Sequence, residues 1–407
     1  MTKCISGKNQ MSCLMIALGN VGDSSMLGVQ RKLGGQKNAF ERLLDCPVEQ
    51  VLQHGTQLIF DQASGTTTYA LRRGLDHYHS SVASAIRQHV PDKYQFIYVR
   101  FPSFCDLPLL KILSHFKHSA VIMEIPTYPL AGEWATRLHD LGKTRNFVRA
   151  IQLIVQILVH TFTRWRLKKY VDCLVCIGNA PEKLWGMKVF HMANGYSVED
   201  ETPLPQREAS DTSLNLVCVA SLQNHHGLDR LIRGMAVYQP RPEQPAVHLD
   251  VVGEGPELQN LKSLVEECGL QSQVTFHGFK SGAELRAIYE NSDIGVASLG
   301  LHRIGCTTAS VLKGREYCSL GLPYVYAYFD PAFDTDLPFC LRLESSEEPI
   351  DIENVVQFWT SLKSNGGMRT LARHYAEEHL TWTSIFRPVL SHIQLLPDSS
   401  ASTSYTA

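Results

Sequence analysis

Residues 303–325 read RIGCTTASVLKGREYCSLGLPYV, with small residues at 305–310 ahead of a helix whose first turns carry Lys313, Arg315 and Glu316. Amides exposed at a helix start, with a lysine beside them, hold a diphosphate. A carboxylate in the same helix accepts two hydrogen bonds from vicinal hydroxyls such as those of a ribose. The same spacing also suits a solvated helix face on which Lys313 and Glu316 pair three residues apart. Gly253-Glu254-Gly255-Pro256 follows a strand and opens a helix. Glycines there let backbone approach a ligand, although such turns also occur in sheets that bind nothing. In Ser221–Arg230, His225, His226 or Arg230 would neutralise a phosphate, while Asp229 and Arg230 equally suit a plain first helical turn. Asp334-Thr335-Asp336 has the spacing of a metal-binding carboxylate pair but follows Tyr328-Phe329-Asp330 in a loop, where Asx residues serve turns. No metal is expected there.

The segment 143–170 is basic and apolar at once. It carries Lys143, Arg145, Arg149, Arg164, Arg166, Lys168 and Lys169, and no acid lies between Asp140 and Asp172. Arg149, two glutamines and His160 interrupt its apolar stretch, which argues against a spanning helix. Two readings stand: an amphipathic helix on an anionic membrane, and a buried helix with a basic end.

Elements must position these groups. In the second half, strand-like runs at 214–220, 247–253, 273–278, 293–298 and 323–327 alternate with helices of period 3.6. One helix has Pro256 in its first turn, buries Leu258, Leu261, Leu264, Val265 and Cys268, and stops at Gly269. The next opens on a capping-box pattern, Ser281 to Glu284. Continuous apolar strands joined by helices predict a parallel, doubly wound sheet with its ligand at the carboxyl ends of the strands. The first half repeats this less cleanly, with strands at 13–18, 57–60, 95–99, 119–124, 171–177 and 188–191. Residues 196–213, rich in Glu, Pro and Ser, read as a linker, and 398–407 as a disordered tail.

The 407 residues suggest two or three domains. The net charge of −2 conceals a basic first half beside an acidic second half, which suggests that the first half meets an anionic partner. The 11 cysteines sit in apolar contexts and no secretory leader is read, so reduced, cytosolic thiols are expected. Cys173 and Cys176 have metal-like spacing, but their apolar surroundings indicate a buried strand.

The second half resembles glycosyltransferase family 4, closest to members from capsular and exopolysaccharide clusters. The resemblance rests on HHGLDRLI from 225, VVGEGPELQNL at 251–261, FHGFKSGAELRAIYENSDIGVASLGLHRIG at 276–305 and LKGREYCSLGLP at 312–323. The first half matches more loosely, at GVQRK 28–32, YVRFP 98–102, EIPTYP 124–129 and ANG 193–195. The resemblance implies a retaining enzyme of the α/β GT-B fold, two Rossmann-like doubly wound lobes facing each other across a cleft. The lobes would be 1–200 for the acceptor and 214–380 for the donor, joined by 201–213, with a helix at 381–397 packing back on the first lobe.

The implied donor is a nucleotide-sugar, a UDP-sugar, taken as substrate without metal or cofactor. Glu316 matches the second Glu of the family's E-x7-E motif and would bind the ribose. Amides near Val311 and Leu312, with Lys313, would face the diphosphate. Phe279 and Lys280 would flank the base, and Gly253, Gly255, His226 and Arg230 would complete the donor site. Gly19, Gly22 and Gly28 would form a first-lobe loop facing acceptor and donor phosphate. The first Glu of the motif falls on Thr308; the first-lobe histidine of many members has no clear match, and Glu124 ends the corresponding strand. Glu124, Lys313 and Glu316 are thus the catalytic candidates. The implied acceptor is a saccharide or lipid-linked saccharide, reached by a cytoplasmic protein peripheral to the inner face of the cell membrane; no nucleic acid is expected. Thr308 motivates a second reading, a catalytically silent sugar-nucleotide binder that partners an active transferase. A nucleotide-sugar epimerase is a third.

Overall fold

The computed structural model describes residues 11–19, 27–71, 78–143, 146–178, 180–206, 212–333 and 337–396. These divide into two units: residues up to Ala193 together with those from Trp382, and Asn194–Thr381.

The second unit follows directly from its sequence pattern. Its strands are β10 (Ser213–Val219), β11 (Ala246–Val252), β12 (Val274–Gly278), β13 (Ile294–Val296), β14 (Tyr324–Tyr326) and β15 (Cys340–Arg342). They lie in the order β12-β11-β10-β13-β14-β15, every pair parallel. The helices are α6 (Leu228–Val237), α7 (Leu258–Glu267), α8 (Gly282–Glu290), α9 (Leu312–Leu320), α10 (Ile352–Ser364) and α11 (Met368–His379). Leu214, Leu216 and Cys218 of β10 join the core that α6, α7 and α10 close. The intervening Val217 is equally buried, and its carbonyl accepts from Tyr317 of α9. Both faces of the strand are covered, which is why its sequence is a continuous apolar run.

Three local expectations change. Pro256 lies in a turn ahead of α7 rather than inside it, and Leu258 and Cys268 are only partly buried. The capping box at α8 does not form, because Lys280 holds Glu284 at 2.7 Å and no side chain caps the helix. The stretch read as a linker is fastened to the second unit along 196–206. Arg286 donates to the carbonyls of Thr202 and Pro203, Arg373 to that of Glu201, and the Leu204 amide to that of Leu320. A polar stretch without apolar period is held here through its carbonyls.

The first unit contains β1 (Cys13–Ala17), α1 (Leu27–Leu44), β2 (Val48–His54), β3 (Gln57–Gln62), β4 (Gly65–Ala70), α2 (Tyr78–His89) and β5 (Phe96–Arg100). There follow α3 (Leu107–Leu113), β6 (Ala120–Tyr128), α4 (Leu130–Lys143), α5 (Phe147–Thr163), β7 (Cys173–Gly178), β8 (Lys183–Leu184), β9 (Met187–His191) and finally α12 (Trp382–His392). The sheet order is β4-β3-β2-β1-β5-β6-β7-β9-β8. The outer hairpins β2-β3-β4 and β8-β9 are antiparallel, and the strands between them are parallel. β2 and β4 escape the sequence pattern for opposite reasons. β2 buries Gln50 and Gln53 beside its apolar residues, and β4 is an exposed edge with almost nothing to bury. The C-terminal helix α12 sets Phe386 against Phe40 and Tyr98, with ring centroids 4.4 and 5.4 Å apart.

Gly253 sits at φ +124°, and a Cβ there would lie 1.9 Å from the carbonyl oxygen of Ala220. Gly28, in the first turn of α1, has open space around it. Gly253→Ala is therefore expected to cost more than about 2 kcal/mol. Gly28→Ala should be neutral or stabilising by up to about 1 kcal/mol. Urea denaturation of both variants checks this.

Candidate functional site

Counted from β10, the second sheet runs 3-2-1-4-5-6, the doubly wound order whose ligand crevice opens where the chain switches direction, between β10 and β13. The two segments leaving those strands are 220–227 and 297–311. They touch through glycine: a Cβ on Gly227 would come 2.7 Å from the nitrogen of Gly300, and the Leu299 amide donates to the His226 carbonyl at 2.9 Å. Gly253 and Gly255 close the same corner. Their contacts are with Ala220 and Leu222, so both are required by backbone packing whether or not a ligand is bound.

Lys313 stands in the first turn of α9. Its ammonium is buried and has no hydrogen-bond acceptor among the described residues. Burial pulls its pKa below the ordinary lysine value, partly offset by Cys218 and Glu316. Burial also pushes His226 down to about 2, aided by the Lys313 charge and by His225. His225 is lowered for the same first two reasons. Both imidazoles are therefore neutral, and Nδ1 of His226 accepts from the amide of Gln223 at 3.2 Å. The corner thus has a buried cation that no described residue accepts from, two neutral histidines, and Glu316 one turn along as its nearest carboxylate on the helix.

The rest of α9 is braced. No side chain caps its first turn behind Val311 and Leu312. Arg315, wholly buried, forks onto Asp330 and donates to the carbonyls of Val311 and Asn194. Asn194 in turn donates through its side-chain amide to the Ser310 carbonyl at 2.7 Å, and its own Oδ1 is left without a donor. Glu316, one turn along from Lys313, accepts from the Tyr289 hydroxyl at 2.9 Å. Thr308 bridges to Phe329 as an isolated β-bridge. Tyr289, Asp330 and the bracing role of Arg315 were not found from sequence. Only the Ala-Asn-Gly at 193–195 signalled Asn194.

Residues 200–306 match the family model for glycosyl transferases group 1. No curated protein matches the chain. Solved structures with the same GT-B fold include Anabaena HepE in complex with UDP and glucose, 14% identical, covering 95% of this chain and 100% of that one at a TM-score of 0.54. Sucrose-phosphate synthase from Thermosynechococcus elongatus is 13% identical, covering 95% and 99% at a TM-score of 0.60. The pneumococcal O-GlcNAc transferase GtfA, in complex with UDP and GlcNAc, is 10% identical, covering 96% and 100% at 0.54.

Several candidates stand elsewhere than their residue types suggested. Arg230 is not free to meet a phosphate: its guanidinium donates to the carbonyls of Glu348, Leu299 and Glu344 and to the Ser346 hydroxyl. It ties α6 to the loop after β15. Asp229 is likewise occupied, held by Arg303 at 2.8 Å through both oxygens. Phe279 is 69% exposed, and Lys280 is paired with Glu284. Lys313 and Glu316 are not paired with each other, because Glu316 takes the tyrosine.

In the first unit, Gly19 follows β1 at φ +104°, its amide donating to Gln53 at 3.0 Å. Gly28 lies in α1 rather than in a loop. Gly22 and Asp334-Thr335-Asp336 lie outside the described residues. Cys173 and Cys176 are buried in β7, and burial pushes both thiols up to about 12. Among the described residues, no three His, Cys, Asp or Glu side chains gather as a metal site. A hollow of about 510 Å³ beside Glu243, Gln244 and Trp359 precedes the amino end of β11, away from the switch point.

Glu124 cannot serve as a base. Its carboxylate is wholly buried and takes Lys32 at 2.6 Å, Arg100 at 3.0 Å, Tyr98 at 2.6 Å and Gln36 at 2.9 Å. Although burial raises its pKa, Lys32 and Arg100 outweigh this and hold it at about 2. A folded pKa below the ordinary 4.5 gives stability that is fully present above that pH and lost as pH falls toward about 2. Glu124→Gln, which strands two cations, should cost about 3–5 kcal/mol at neutral pH. Urea denaturation at stepped pH should show the two proteins converging in acid.

Proposed function

We propose that the chain is a glycosyltransferase that takes a UDP-sugar at the β10–β13 switch point and transfers the sugar, with retention, to a saccharide or lipid-linked saccharide in polysaccharide biosynthesis. The observation that carries this is the buried ammonium of Lys313 at the start of α9, which has no hydrogen-bond acceptor among the described residues. An uncompensated charge inside a protein is costly, and a bound anion removes the cost. A diphosphate suits that position because the first-turn amides of α9, which no side chain caps, belong to the same turn as Lys313. Glu316, held by Tyr289, lies one turn further on, where a ribose hydroxyl pair would follow a diphosphate. The group 1 match over 200–306 spans β10, β13 and the segment 220–227, stopping short of α9, and two of the structural neighbours are described with UDP bound.

In this reading the leaving UDP gains negative charge as the glycosidic bond breaks, through an oxocarbenium-like transition state. Lys313 and the helix-start amides stabilise that charge without reorganising. No metal is needed for the task. Membrane association, through residues 143–170, belongs to the same reading, and no described helix is long and apolar enough to cross a membrane.

Thr308 favours a second reading, in which the site binds its nucleotide-sugar without turning it over. Its hydroxyl replaces a carboxylate that would touch the donor's sugar.

Thermal melting with a panel of nucleotides and nucleotide-sugars tests the site. A UDP-sugar should raise Tm, with about 2.7 kcal/mol of stabilisation at a hundredfold excess over Kd. Glu316→Ala should lose that shift. Lys313→Met should lose it too, yet melt no lower than the wild type without ligand, since the substitution removes a buried charge. If no nucleotide shifts the wild type, the donor-site reading fails. Following the donor then separates the readings: transfer or slow hydrolysis supports the transferase, an isomerised sugar an epimerase, and an unchanged donor the silent binder.

A further inference from the structure

Helix α5 is built inside out. Phe147, Ile151, Ile154, Leu158 and Phe162, followed by Trp165 in the short helix after it, recur at spacings of four, three, four, four and three, the period of one helix face. That face points to solvent: Phe162 is 78% exposed and Phe147 68%. The opposite face buries Leu153, His160 and Thr163.

The orientation is fixed by specific bonds. Nδ1 of His160 accepts from the Cys105 amide at 3.0 Å, and the Thr163 hydroxyl donates to the Cys105 carbonyl at 2.7 Å. His160 is fully buried among Phe101, Trp134 and Trp185. Rotating α5 to hide its apolar face would break both bonds and expose those rings. The segment is also free of carboxylates from 141 to 171, and Arg166, Lys168 and Lys169, in the short helix that continues the stripe, are exposed.

From this arrangement we infer that the outer face of α5, with residues 164–169, docks on an anionic lipid bilayer, its apolar side chains entering the interface and its basic residues meeting lipid headgroups. The inference gives the membrane reading a specific surface and stands independently of the donor site. A helix of this kind lies in the plane of the interface. A second copy of the chain fits less well, because a symmetric pairing through this face would set its cations against one another.

The test uses the full chain with vesicles of phosphatidylcholine, with and without phosphatidylglycerol. The wild type should co-sediment with the anionic vesicles at low salt, and Trp165 should add a blue shift in emission that Trp165→Phe lacks. Ile151→Asp combined with Leu158→Asp should weaken binding by at least about tenfold. Each of Arg166→Gln, Lys168→Gln and Lys169→Gln should weaken it roughly fivefold at low salt, and less at high salt. Circular dichroism checks that the variants fold, and the nucleotide melting shift, which reads the second unit, should be unchanged in them. The inference is overturned if the wild type stays in solution with anionic vesicles, or if the double aspartate variant binds as the wild type does. It is also overturned if light scattering shows a dimer that this variant dissociates. None of these outcomes bears on the donor site.

Discussion

A buried ammonium in the second unit, that of Lys313, with no hydrogen-bond acceptor among the described residues, is the constraint around which the corner between β10 and β13 is organised. The backbone that carries Lys313 is fixed in place. The turn of α9 that carries it is clamped by Arg315, which reaches Asp330, Val311 and Asn194 at once. Asn194 holds the Ser310 carbonyl, and glycines at 227, 253 and 255 let three strand-end segments touch with no side chain between them. Each of these contacts spends stability on position. Their common effect is to keep a positive charge, and a set of uncapped amides, at the carboxyl edge of the sheet.

Two glutamates show how differently one side chain is used in the two units. Glu124 meets two cations, a phenol and an amide, and nothing in its surroundings is left for a ligand. It welds α1 to β5 and β6. Glu316 sits on a helix in a half-buried position, and a neutral phenol orients it without cancelling its charge. Burial alone would rank Glu124 as the more perturbed and hence the more functional group. The partners reverse that ranking, because a carboxylate held at about 2 by cations is spent on the fold.

The second unit was legible from sequence because its strands are buried on both faces, so each is a plain apolar run bounded by turns. Its site was legible in part. Lys313 and Glu316 stood out by type and spacing, but spacing alone left their mutual pairing open, and Tyr289, from another helix, decided it. Arg230 looked like a phosphate ligand because sequence shows a guanidinium and not the four acceptors around it. In the first unit, β2 and β4 break the apolar alternation through buried glutamines and through full exposure, and neither leaves a periodic signal. The polar stretch at 196–206 looked free because carbonyl contacts to distant arginines leave no mark on composition.

Sequence did mark 143–170 as unusual, yet left two readings of it open, and the reason is instructive. A helical period of apolar residues says that one face is apolar without saying which way that face points. The deciding groups are polar ones, His160 and Thr163, whose bonds to the amide and the carbonyl of a single residue, Cys105, turn their side of the helix inward. The same logic applies to Lys313, where a polar group is fixed in the less favourable of two environments by bonds its neighbours make. In both places the fold holds a group away from its own free-energy minimum. A buried cation is relieved by an anion and an exposed apolar stripe by an apolar phase, so the direction of each departure specifies the chemistry of what would relieve it.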